Sequence, residues 1–331
     1  MSTIKDVAKK AGVAISTVSN VINNIDVVSP RTRERVLQAI KELDYTPNLN
    51  GRHLKSSRTG FLGLFITSVE GPYYASLADS IYKECCKFGY GLNININGLN
   101  NLPQTEQFIF GKKVDGAIIL NDTINDEHVE KFIKLKIPVV FVDREVADET
   151  VSSVVVDNRQ GAVMVTEYLI KLGHRRIGYI HGYLNNYDDV KRYEGFSETM
   201  QNFKLPIREE DELVGYFSEQ GAYNAVRERL RKYGHPPEAF FCANDLMAIG
   251  CIKALKDEGY YVPNDVSVVG FDDIDIAQYL HPSLTTVVNP VKTVGSLAVK
   301  NLVDIIQYQK GGRVTKLETT LLLRNSCKIN L

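Results

Sequence analysis

The spacing of apolar residues changes along the chain, and from Phe61 onward these residues fall in short, nearly continuous runs. Longer amphipathic segments separate seven such runs: FLGLFIT, YGLNININ, GAIIL, PVVFVD, RRIGYIHG, AFFCAND and VSVVGFDD. Strands that are apolar at almost every position are typical of parallel sheets covered by helices on both faces. The pattern therefore predicts an α/β body built from doubly wound parallel sheets.

The N-terminal region follows a helical spacing instead. Three segments place apolar side chains three and four positions apart: Ile4, Val7, Ala8 and Ala11; Val18, Val21 and Ile22; and Val36, Leu37, Ile40 and Leu43. Gly12 separates the first two segments, while Ser29 and Pro30 give the third an N-cap and a favourable first residue. We predict three short helices around one small core, the first two forming a helix-turn-helix.

The second of these helices, ISTVSNVI, is polar on the face that its apolar residues leave outward. Hydroxyl and amide groups on that face can bond base edges or phosphates, and they come from Ser16, Thr17, Ser19, Asn20 and the following Asn23. A solvated surface helix would carry the same pattern. In a helix-turn-helix, this is the face that enters the major groove of DNA.

Charge is divided unevenly along the 331 residues, although the formal net charge is only −1. Residues 1–58 carry a balance of +5, and the remainder carries −6. The length is too great for one ordinary core and indicates two or three domains. A small basic module on an acidic body, combined with the polar helix, favours a nucleic acid partner.

Cysteine, histidine and apolar patterns exclude other classes of protein. The five cysteines lack CxxC pairing and the six histidines lack metal-ligand spacing, so we expect neither a metal nor a cofactor. No apolar run approaches the roughly 18 residues of a membrane span, and the start MSTIKDVAKK has no apolar segment of a signal peptide. We expect a cytoplasmic protein that is associated with the nucleoid and has no membrane partner.

Polar and aromatic residues gather where the apolar runs of the body stop, which is where parallel sheets bind ligands. They are Pro72, Tyr73, Tyr74, Asp143, Arg144, Asn244, Asp245, Asp272, Asp273 and Asn289, together with Arg192 in KRYEGF. Aromatic faces stack on the C–H faces of a sugar, and planar polar groups bind its vicinal hydroxyls in pairs. Each residue alone could cap a helix or pack in a core, but their recurrence favours a polyhydroxylated ligand.

The N-terminal sequence resembles the DNA-binding head of the lactose/galactose repressor (LacI/GalR) family. The similarity lies in TIKDVAKKAGVAISTVSNVINN and VSPRTRERVLQAIKELDYTPN. The resemblance implies that the bases are faced by Ala14, Ile15, Ser16 and Asn20. It implies that phosphates are contacted mostly by Thr17, Asn23, Ser29, Thr32 and Tyr45, and the DNA-binding set also includes Thr3 and Asn48.

Asn20 departs from many members of that family, which often have arginine at this position. Arginine matches the acceptor pair of guanine, whereas an amide matches the donor and acceptor of adenine. We therefore expect an operator half-site with a different base at that position.

A polar, glycine-containing linker, NLNGRHLKSSRTG, follows Pro47. In the family that the chain resembles, the matching stretch becomes a short helix on DNA, and a leucine pair of the dimer enters the minor groove. The resemblance assigns that wedge to Leu54, with Arg52 and Lys55 beside it. Gly51 replaces a common alanine, and glycine in a helix costs roughly 1 kcal/mol relative to alanine, so we expect a disordered free hinge.

Residues 60–331 resemble the periplasmic-binding-protein type I domain, which these repressors share with sugar-binding proteins. The segments GHRRIGYIHG, RYEGF, ANDLMAIG, VPNDVSVVGFDD and PSLTTV occur in the family order. The resemblance implies an effector site formed by Tyr73, Tyr74, Asp143, Arg144, Arg192, Asn244, Asp272 and Asn289. It implies structural roles for Asp245, Asp273 and the GHRRIG residues.

Similar residue sets in that family bind free pentoses or hexoses, so the resemblance favours a neutral monosaccharide effector. A phosphorylated sugar and a purine are the alternatives. The acids Asp143 and Asp272 beside Arg144 and Arg192 would weaken the binding of an anion.

The resemblance also gives the expected domain organisation. We expect a DNA-binding domain at 1–47, a hinge at 48–60 and an effector-binding domain at 61–331. Its subdomains would comprise 61–160 with 289–318, and 161–288 with 319–331. We expect a homodimer on a palindromic double-stranded operator, in which closure of the cleft moves the paired hinges. Induction and co-repression both stay open.

Two other functions fit part of the sequence. An enzyme could place acids at strand ends, but GxGxxG after a strand, GxxxxGK[ST], GxSxG and metal triads are absent from the sequence. Asp272 and Asp273 should point apart, which does not suit glycoside hydrolysis. A solute-binding protein would leave the basic head unexplained. The sequence predicts a DNA-binding transcriptional regulator, in the first place a repressor, and not an enzyme.

Overall fold

The computed structural model describes residues 2–23, 25–45, 58–96, 107–121 and 123–330. The chain divides into two compact units, one ending at Thr59 and the other beginning at Gly60. The residues predicted for the hinge contacts lie outside the described residues: Asn48, Arg52, Leu54 and Lys55.

The first unit contains the three predicted helices, α1 (Ile4–Ala11), α2 (Ile15–Ile22) and α3 (Pro30–Glu42). A capping box begins α1, because Thr3 Oγ1 accepts from the Asp6 backbone N–H and the Asp6 carboxylate accepts from the Thr3 backbone N–H at 2.8 Å. Gly12 ends α1 with a φ of 62°, a left-handed conformation that suits glycine. Ser29 caps α3, as the sequence predicted.

Each helix contributes a fully buried valine to the core of this unit, namely Val7, Val18 and Val36. The prediction that Leu37 shares this core is wrong, because its side chain is 52% exposed. Leu37 lies about 100° around the helix from Val36, whereas Ala39 comes almost one full turn later and points inward. Ala39 is accordingly only 3% exposed.

The described part of the second unit contains two six-stranded sheets. In spatial order, the first sheet contains β11 (Val314–Leu317), β5 (Val151–Val156), β4 (Val139–Phe141), β3 (Gly116–Leu120), β1 (Phe61–Ile66) and β2 (Gly91–Ile96). All of its neighbouring strands are parallel. The helices associated with this sheet are α4 (Pro72–Lys87), α5 (Asp126–Lys134) and α10 (Val291–Tyr308).

The second sheet has the same organisation. Its spatial order is β12 (Thr320–Leu322), β10 (Thr285–Val288), β9 (Ser267–Asp272), β8 (Ala239–Cys242), β6 (Ile177–His181) and β7 (Glu212–Val214). Its neighbours are parallel except for β10 and β12, which are antiparallel. Its helices are α6 (Asn158–Lys171), α7 (Tyr187–Asn202), α8 (Glu219–Tyr233) and α9 (Asp245–Asp257), and short 3₁₀ helices lie at Glu209–Asp211 and Asp275–Tyr279.

The described chain passes from one sheet to the other after β5, after β10 and after β11, so each sheet and its helices form one subdomain. Thr319 in the last crossing donates to the Asp157 carbonyl in the first at 3.4 Å, which joins two of these connections. Connections that lie side by side allow the subdomains to move as a hinge.

Every residue of β3 and β8 is buried, as expected for strands covered on both faces. The predicted fold class, an N-terminal helix-turn-helix region followed by two parallel-sheet α/β subdomains, is confirmed. Among the described residues, no helix is both long enough and apolar enough to cross a lipid bilayer. The strands of the first sheet are all parallel, and those of the second sheet are parallel except β12. The carboxyl ends of the parallel strands therefore meet at one edge of each sheet, where such folds bind ligands.

Candidate DNA-binding and effector sites

The outward face of α2 carries the residues that the sequence predicted to face bases. Ala14, Ile15 and Ser16 are exposed and Asn20 is half-buried, whereas Val18 on the opposite face is fully buried. The Ile15 side chain is 44% exposed, so an apolar group stands among the polar ones. Small, apolar and amide groups on one helix face match the chemistry of base edges in the major groove.

Three residues of the predicted DNA-binding set lie at helix N-termini. Thr3 caps α1, Ser29 caps α3, and Ser29 Oγ donates to Thr32 Oγ1 at 3.0 Å. The free backbone N–H groups and the helix dipole at such ends attract anions. These three residues therefore have a structural role that is compatible with phosphate binding.

The other described residues that were predicted to contact phosphates are partly buried. Asn23 Nδ2 donates to Ser19 Oγ at 3.3 Å, Tyr45 packs against the core of the head, and Thr17 is half-buried. Arg35, which the sequence did not single out, donates to the carbonyls of Ala11 and Gly12. That contact ties α3 to the turn before α2 and helps to fix the direction of α2.

Arg192 is the best-anchored cation of the candidate effector site. It lies on α7, is 3% exposed, and donates from Nε to Asn158 Oδ1 at 2.8 Å and from Nη1 to the Ala243 carbonyl. Its guanidinium carbon lies 3.8 Å from the centroid of the Phe271 ring. The planar group is therefore held in one orientation.

Two carboxylates flank the remaining nitrogen of this guanidinium. Arg192 Nη2 lies 3.7 Å from Asp272 Oδ1 and 4.0 Å from Asp188 Oδ2. Both separations are longer than a hydrogen bond. The two acids and the guanidinium therefore form one charged cluster of ion pairs.

Asp272 lies at the carboxyl end of β9 and receives a hydrogen bond from Asn289 Nδ2 at 3.0 Å. Burial raises the pKa of Asp272 to about 6, although the charge of Arg192 and the hydrogen bond from Asn289 act in the opposite direction. Asn289 Oδ1 is buried and makes no hydrogen bond within the described structure. An acceptor of this kind gains from a ligand that brings a hydroxyl or N–H group.

Tyr73 brings the other subdomain to the same cluster. It stands in the first turn of α4, where burial raises its pKa well above the usual value and the charges of Asp188 and Asp272 add to the effect. Tyr74 contacts Tyr73 edge to face with ring centroids 5.7 Å apart, and its hydroxyl lies 3.3 Å from Thr67 Oγ1. The structure therefore brings together Tyr73, Tyr74, Arg192, Asp272 and Asn289.

Asp143 and Arg144 are engaged with the segment after β3. Arg144 Nε donates to Asp143 Oδ1 at 3.1 Å, and the same guanidinium donates to the carbonyls of Asn121 and Ile124. The Asn121 backbone N–H donates to Asp143 Oδ2 at 2.7 Å. These contacts stabilise the loop, and the contact of both side chains with an effector stays a prediction.

Asn244 has the structural role that the sequence offered as an alternative. Its Oδ1 accepts from the Met247 backbone N–H at 2.9 Å and caps α9, and its Nδ2 donates to the Phe217 carbonyl at 3.2 Å. Contact with an effector stays a prediction for this residue as well.

Asp245 and Asp273 hold the fold together. Asp245 accepts from Thr286 Oγ1 at 2.6 Å and from the Ile274 backbone N–H at 2.9 Å, and Asp273 accepts from Arg324 Nη2 at 2.6 Å. Asp272 and Asp273 therefore accept hydrogen bonds from different residues, Asn289 and Arg324 respectively.

Two family profiles match the chain. Residues 3–48 match the bacterial regulatory proteins of the lacI family, and residues 166–327 match a periplasmic binding protein-like domain. The chain is 36% identical over 332 residues to the HTH-type transcriptional repressor PurR of Serratia proteamaculans (strain 568), with 98% of this chain and 97% of that protein covered. The same values apply to the PurR repressor of Yersinia pestis (strain Pestoides F).

The chain belongs to the LacI family. Among solved structures, it is similar to the Lac repressor dimer bound to operator and the anti-inducer ONPF, with a TM-score of 0.85, 26% identity and 99% of each chain covered. It is also similar to the transcriptional regulator CelR–cellobiose complex, with a TM-score of 0.74, 32% identity, and 98% of this chain and 100% of that one covered. This LacI-family chain is a DNA-binding transcriptional regulator, and its relatives are regulators and not enzymes.

The sequence analysis of this LacI-family chain missed three residues at the candidate effector site. Asp188 precedes Arg192 by one helical turn, a spacing that a search around Arg192 would have found. Asn121 follows the apolar run GAIIL and carries the same strand-end signal as Asn244, and its Nδ2 is buried without a partner among the described residues. Phe217 had no distinguishing sequence signal.

Proposed function

We propose that this regulator is a homodimeric repressor of a palindromic operator and that a neutral monosaccharide, bound between the subdomains, controls its affinity for DNA. The main support for a neutral sugar is the position of Arg192 Nη2, which lies 3.7 Å from Asp272 Oδ1 and 4.0 Å from Asp188 Oδ2. Vicinal hydroxyls can donate to the carboxylates and accept from the guanidinium at the same time.

The local charge supports a neutral ligand over an anionic one. One guanidinium, that of Arg192, faces two carboxylates, those of Asp188 and Asp272. A phosphate placed there would be repelled by both acids at short range. The acceptor Asn289 Oδ1 and the faces of Tyr73 and Tyr74 complete a set suited to a sugar with hydroxyls on its edge and C–H groups on its face.

A thermal-shift screen against neutral sugars tests this proposal directly. A ligand at about 100 times its dissociation constant should raise the free energy of unfolding by roughly 2.7 kcal/mol. The sugar that stabilises the protein should then change operator affinity in an electrophoretic mobility-shift assay. Stabilisation by a purine or a phosphorylated sugar, with no response to any neutral sugar, would overturn the proposed effector class.

Substitution of Arg192 tests the site. Arg192→Ala should abolish the sugar response, but this side chain is buried and holds Asn158 and Ala243, so Arg192→Lys is the gentler variant. Lysine keeps the positive charge but lacks the planar guanidinium with its paired donors. The affinity for the sugar should therefore fall about tenfold or more, while operator binding persists. Arg175→Lys is the matched control. Arg175 belongs to the GHRRIG segment and donates to the Ile170 carbonyl, so it is a structural arginine outside the proposed effector site. Normal sugar binding by Arg192→Lys would refute the assignment.

DNA binding is proposed to involve the outward face of α2, the helix caps of the head and the hinge. The base-facing residues would be Ala14, Ile15, Ser16 and Asn20. Support comes from the exposure of the first three and from the match of residues 3–48 to the lacI family. We infer further that the cleft performs no catalysis, and a glycosidase assay with the sugar found in the screen tests this.

A purine is the second candidate effector. The relatives named PurR and the aromatic rings of Tyr73 and Tyr74 are compatible with a stacked base. Purine bases and nucleosides therefore belong in the same thermal-shift screen, where only one of the two classes should stabilise the protein at micromolar concentration.

A further inference from the structure

We propose that Asn158 is a positioning residue of the effector site, which holds the Arg192 guanidinium and the Asp188 carboxylate in the arrangement that binds the effector. This inference rests on the proposed sugar-binding function and gives a buried amide a role within it. The sequence analysis did not single out Asn158, and the residue acts through its two charged neighbours.

The Asn158 side chain is hydrogen-bonded to both charged groups at once. Its Oδ1 accepts from Arg192 Nε at 2.8 Å, and its Nδ2 donates to Asp188 Oδ1 at 2.7 Å. Asn158 is only 1% exposed. Hydrogen bonds are stronger in such a buried environment, and a buried group that loses its partner is costly. The amide therefore restricts the direction in which each charged group faces.

An amide suits these two partners better than other side chains. Its oxygen accepts and its NH₂ group donates from one planar unit, so it can serve a guanidinium and a carboxylate together. A carboxylate at residue 158 would be a third acid around the one guanidinium of Arg192, beside Asp188 and Asp272. Asn158 thus matches both partners without adding a charge to the cluster.

The backbone of Asn158 lies where the chain first passes between the subdomains. Asn158 is the first residue of α6 and follows the N-cap Asp157. The Asp157 backbone N–H donates to the Leu317 carbonyl at 2.8 Å, and its carbonyl accepts from Thr319 Oγ1 at 3.4 Å. Leu317 ends β11, and Thr319 belongs to the last crossing. Hydrogen bonds between two crossings therefore fix the position from which the amide reaches its partners.

Close packing of α6 against α7 brings the amide to these partners. A Cβ at residue 195 of α7 would lie 2.3 Å from the Arg159 carbonyl oxygen, so Gly195 allows the two helices to approach. Asp188, Arg192 and Gly195 are four and three residues apart and share one face of α7. Asn158, next to Arg159, consequently meets both charged groups on that face.

Isothermal titration with D-ribose, D-glucose and D-galactose tests the inference. Asn158→Ala removes both hydrogen bonds of the amide. The affinity for any of these sugars that binds the wild type should fall about tenfold or more, because hydrogen bonds to charged groups are among the stronger ones. An affinity equal to that of the wild type would overturn the inference and leave the proposed function standing.

Asn301→Ala is the matched control. Asn301 is a buried asparagine on α10, and its Oδ1 accepts from Arg313 Nη1 at 3.4 Å, outside the proposed effector site. This variant should lose thermal stability but keep the sugar affinity. An equal loss of affinity in Asn158→Ala and Asn301→Ala would show a general effect on folding and would overturn the inference.

Exchange of the two side-chain types separates positioning from folding. Asn158→Asp keeps an acceptor for Arg192 Nε but places a carboxylate against Asp188, so the sugar affinity should fall about tenfold or more. Asp188→Asn alone should also weaken binding, because it removes a proposed acceptor of sugar hydroxyls. Added to Asn158→Asp, however, it restores the pairing of donor and acceptor and should regain about threefold or more. A further loss in the double variant would contradict the inference.

The protein without sugar gives a second readout. The charge of Arg192 lowers the pKa of Asp272. If Asn158→Ala releases Arg192, the pKa of Asp272 should rise by about half a pH unit, which NMR titration with ¹³C-labelled aspartate measures. Asn301→Ala should keep the wild-type value. The same pKa in all three proteins would overturn the inference, whether or not a sugar binds. Failure of every neutral sugar in the thermal-shift screen would instead overturn the proposed function.

Discussion

At the scale of single residues, Asp272 is held in an unusual state. Its backbone has a φ of 116°, in a region that side chains other than glycine rarely adopt, and burial raises the pKa of its carboxyl to about 6. Arg192 and Asn289 only partly offset that burial. An acid with these properties changes its charge within a range that solution experiments reach easily.

We predict that effector affinity depends on pH through Asp272. If the ionised carboxylate accepts from a sugar hydroxyl, lowering the pH from 7.5 to 5.5 should weaken binding about fourfold, because a group with a pKa of about 6 is then mostly protonated. Titration calorimetry at several pH values measures this. Asp272→Asn should give a flat profile. A slope that is the same in wild type and Asp272→Asn would contradict the prediction.

The raised pKa of Asp272 also makes the free energy of unfolding depend on pH. The ordinary pKa of this carboxyl is 3.8, so between that value and about 6 the folded protein binds the proton more tightly than the unfolded chain. The contribution of Asp272 to the free energy of unfolding is therefore present at low pH and is lost as the pH rises through this window. Binding and stability should thus respond to pH in opposite directions at this residue.

We predict that Asn20 reads adenine in each operator half-site. Asn20→Arg should shift the preference to guanine at that one position, with a discrimination of about 1 to 3 kcal/mol for a bidentate contact. A binding selection on random duplexes measures both preferences. Gln38→Arg, which adds the same charge on the exposed side of α3, should leave the sequence preference unchanged. Guanine at this position in the wild-type selection would contradict the prediction.

At the scale of elements, the apolar runs of the sequence predicted seven of the twelve strands in the described part of the chain. They did not include β5, although each of its six residues is buried. β7 has three half-buried residues and β12 only one, so neither produces a recognisable run. Strand-end positions identified Tyr73, Asp272 and Asn289 because parallel strands deliver their carboxyl ends to one edge. The orientation of the Arg144 side chain depends on its hydrogen bonds to the Asn121 and Ile124 carbonyls. These residues are distant in the sequence, so the residues next to Arg144 do not predict its orientation.

A hydrogen bond connects the two subdomains across the cleft. The Tyr187 hydroxyl at the start of α7 donates to Glu145 Oε1 at 2.9 Å, and Lys316 Nζ lies 3.1 Å from the same carboxylate oxygen. The bond from Tyr187 and the charge of Lys316 lower the pKa of Glu145. This contact belongs to the arrangement in which Tyr73 faces the acids of the second subdomain, so it should favour the closed cleft.

We predict that Tyr187→Phe weakens effector binding. Loss of one hydrogen bond of about 1 kcal/mol corresponds to a fivefold lower affinity, because the closed arrangement becomes less favourable. Titration calorimetry measures the change. Tyr193→Phe is the control, since the Tyr193 hydroxyl donates to Glu212 within one subdomain. Equal effects of the two substitutions would show that the cross-cleft position has no special importance.

At the scale of the whole molecule, exposed apolar side chains lie on β2, the end strand of the first sheet in the described part of the chain. Ile94 and Ile96 are 46% and 50% exposed on this end strand, and Tyr82 of α4 is 55% exposed. An uncovered apolar edge strand invites association with another chain. A second copy of this chain is the partner that a repressor of a palindromic operator needs, because a two-fold protein matches a two-fold site.

We predict that Ile96→Asp produces a monomer. A buried charge in the proposed interface should dissociate the dimer, which analytical ultracentrifugation measures, and operator affinity should fall with it. Effector binding should persist, since Ile96 is remote in sequence and strand order from Arg192. Leu135→Asp places the same charge on a 54% exposed leucine and should remain dimeric. A dimeric Ile96→Asp protein would exclude this edge as the interface.

In the proposed function, one molecule links a sugar site to an operator site. Such coupling is reciprocal, so the factor by which the sugar changes operator affinity must equal the factor by which the operator changes sugar affinity. The most direct test measures the dissociation constant of the sugar with and without a saturating operator duplex. We predict a change of about 5- to 150-fold, equal to the change in operator affinity. The same sugar affinity in both conditions would contradict the account.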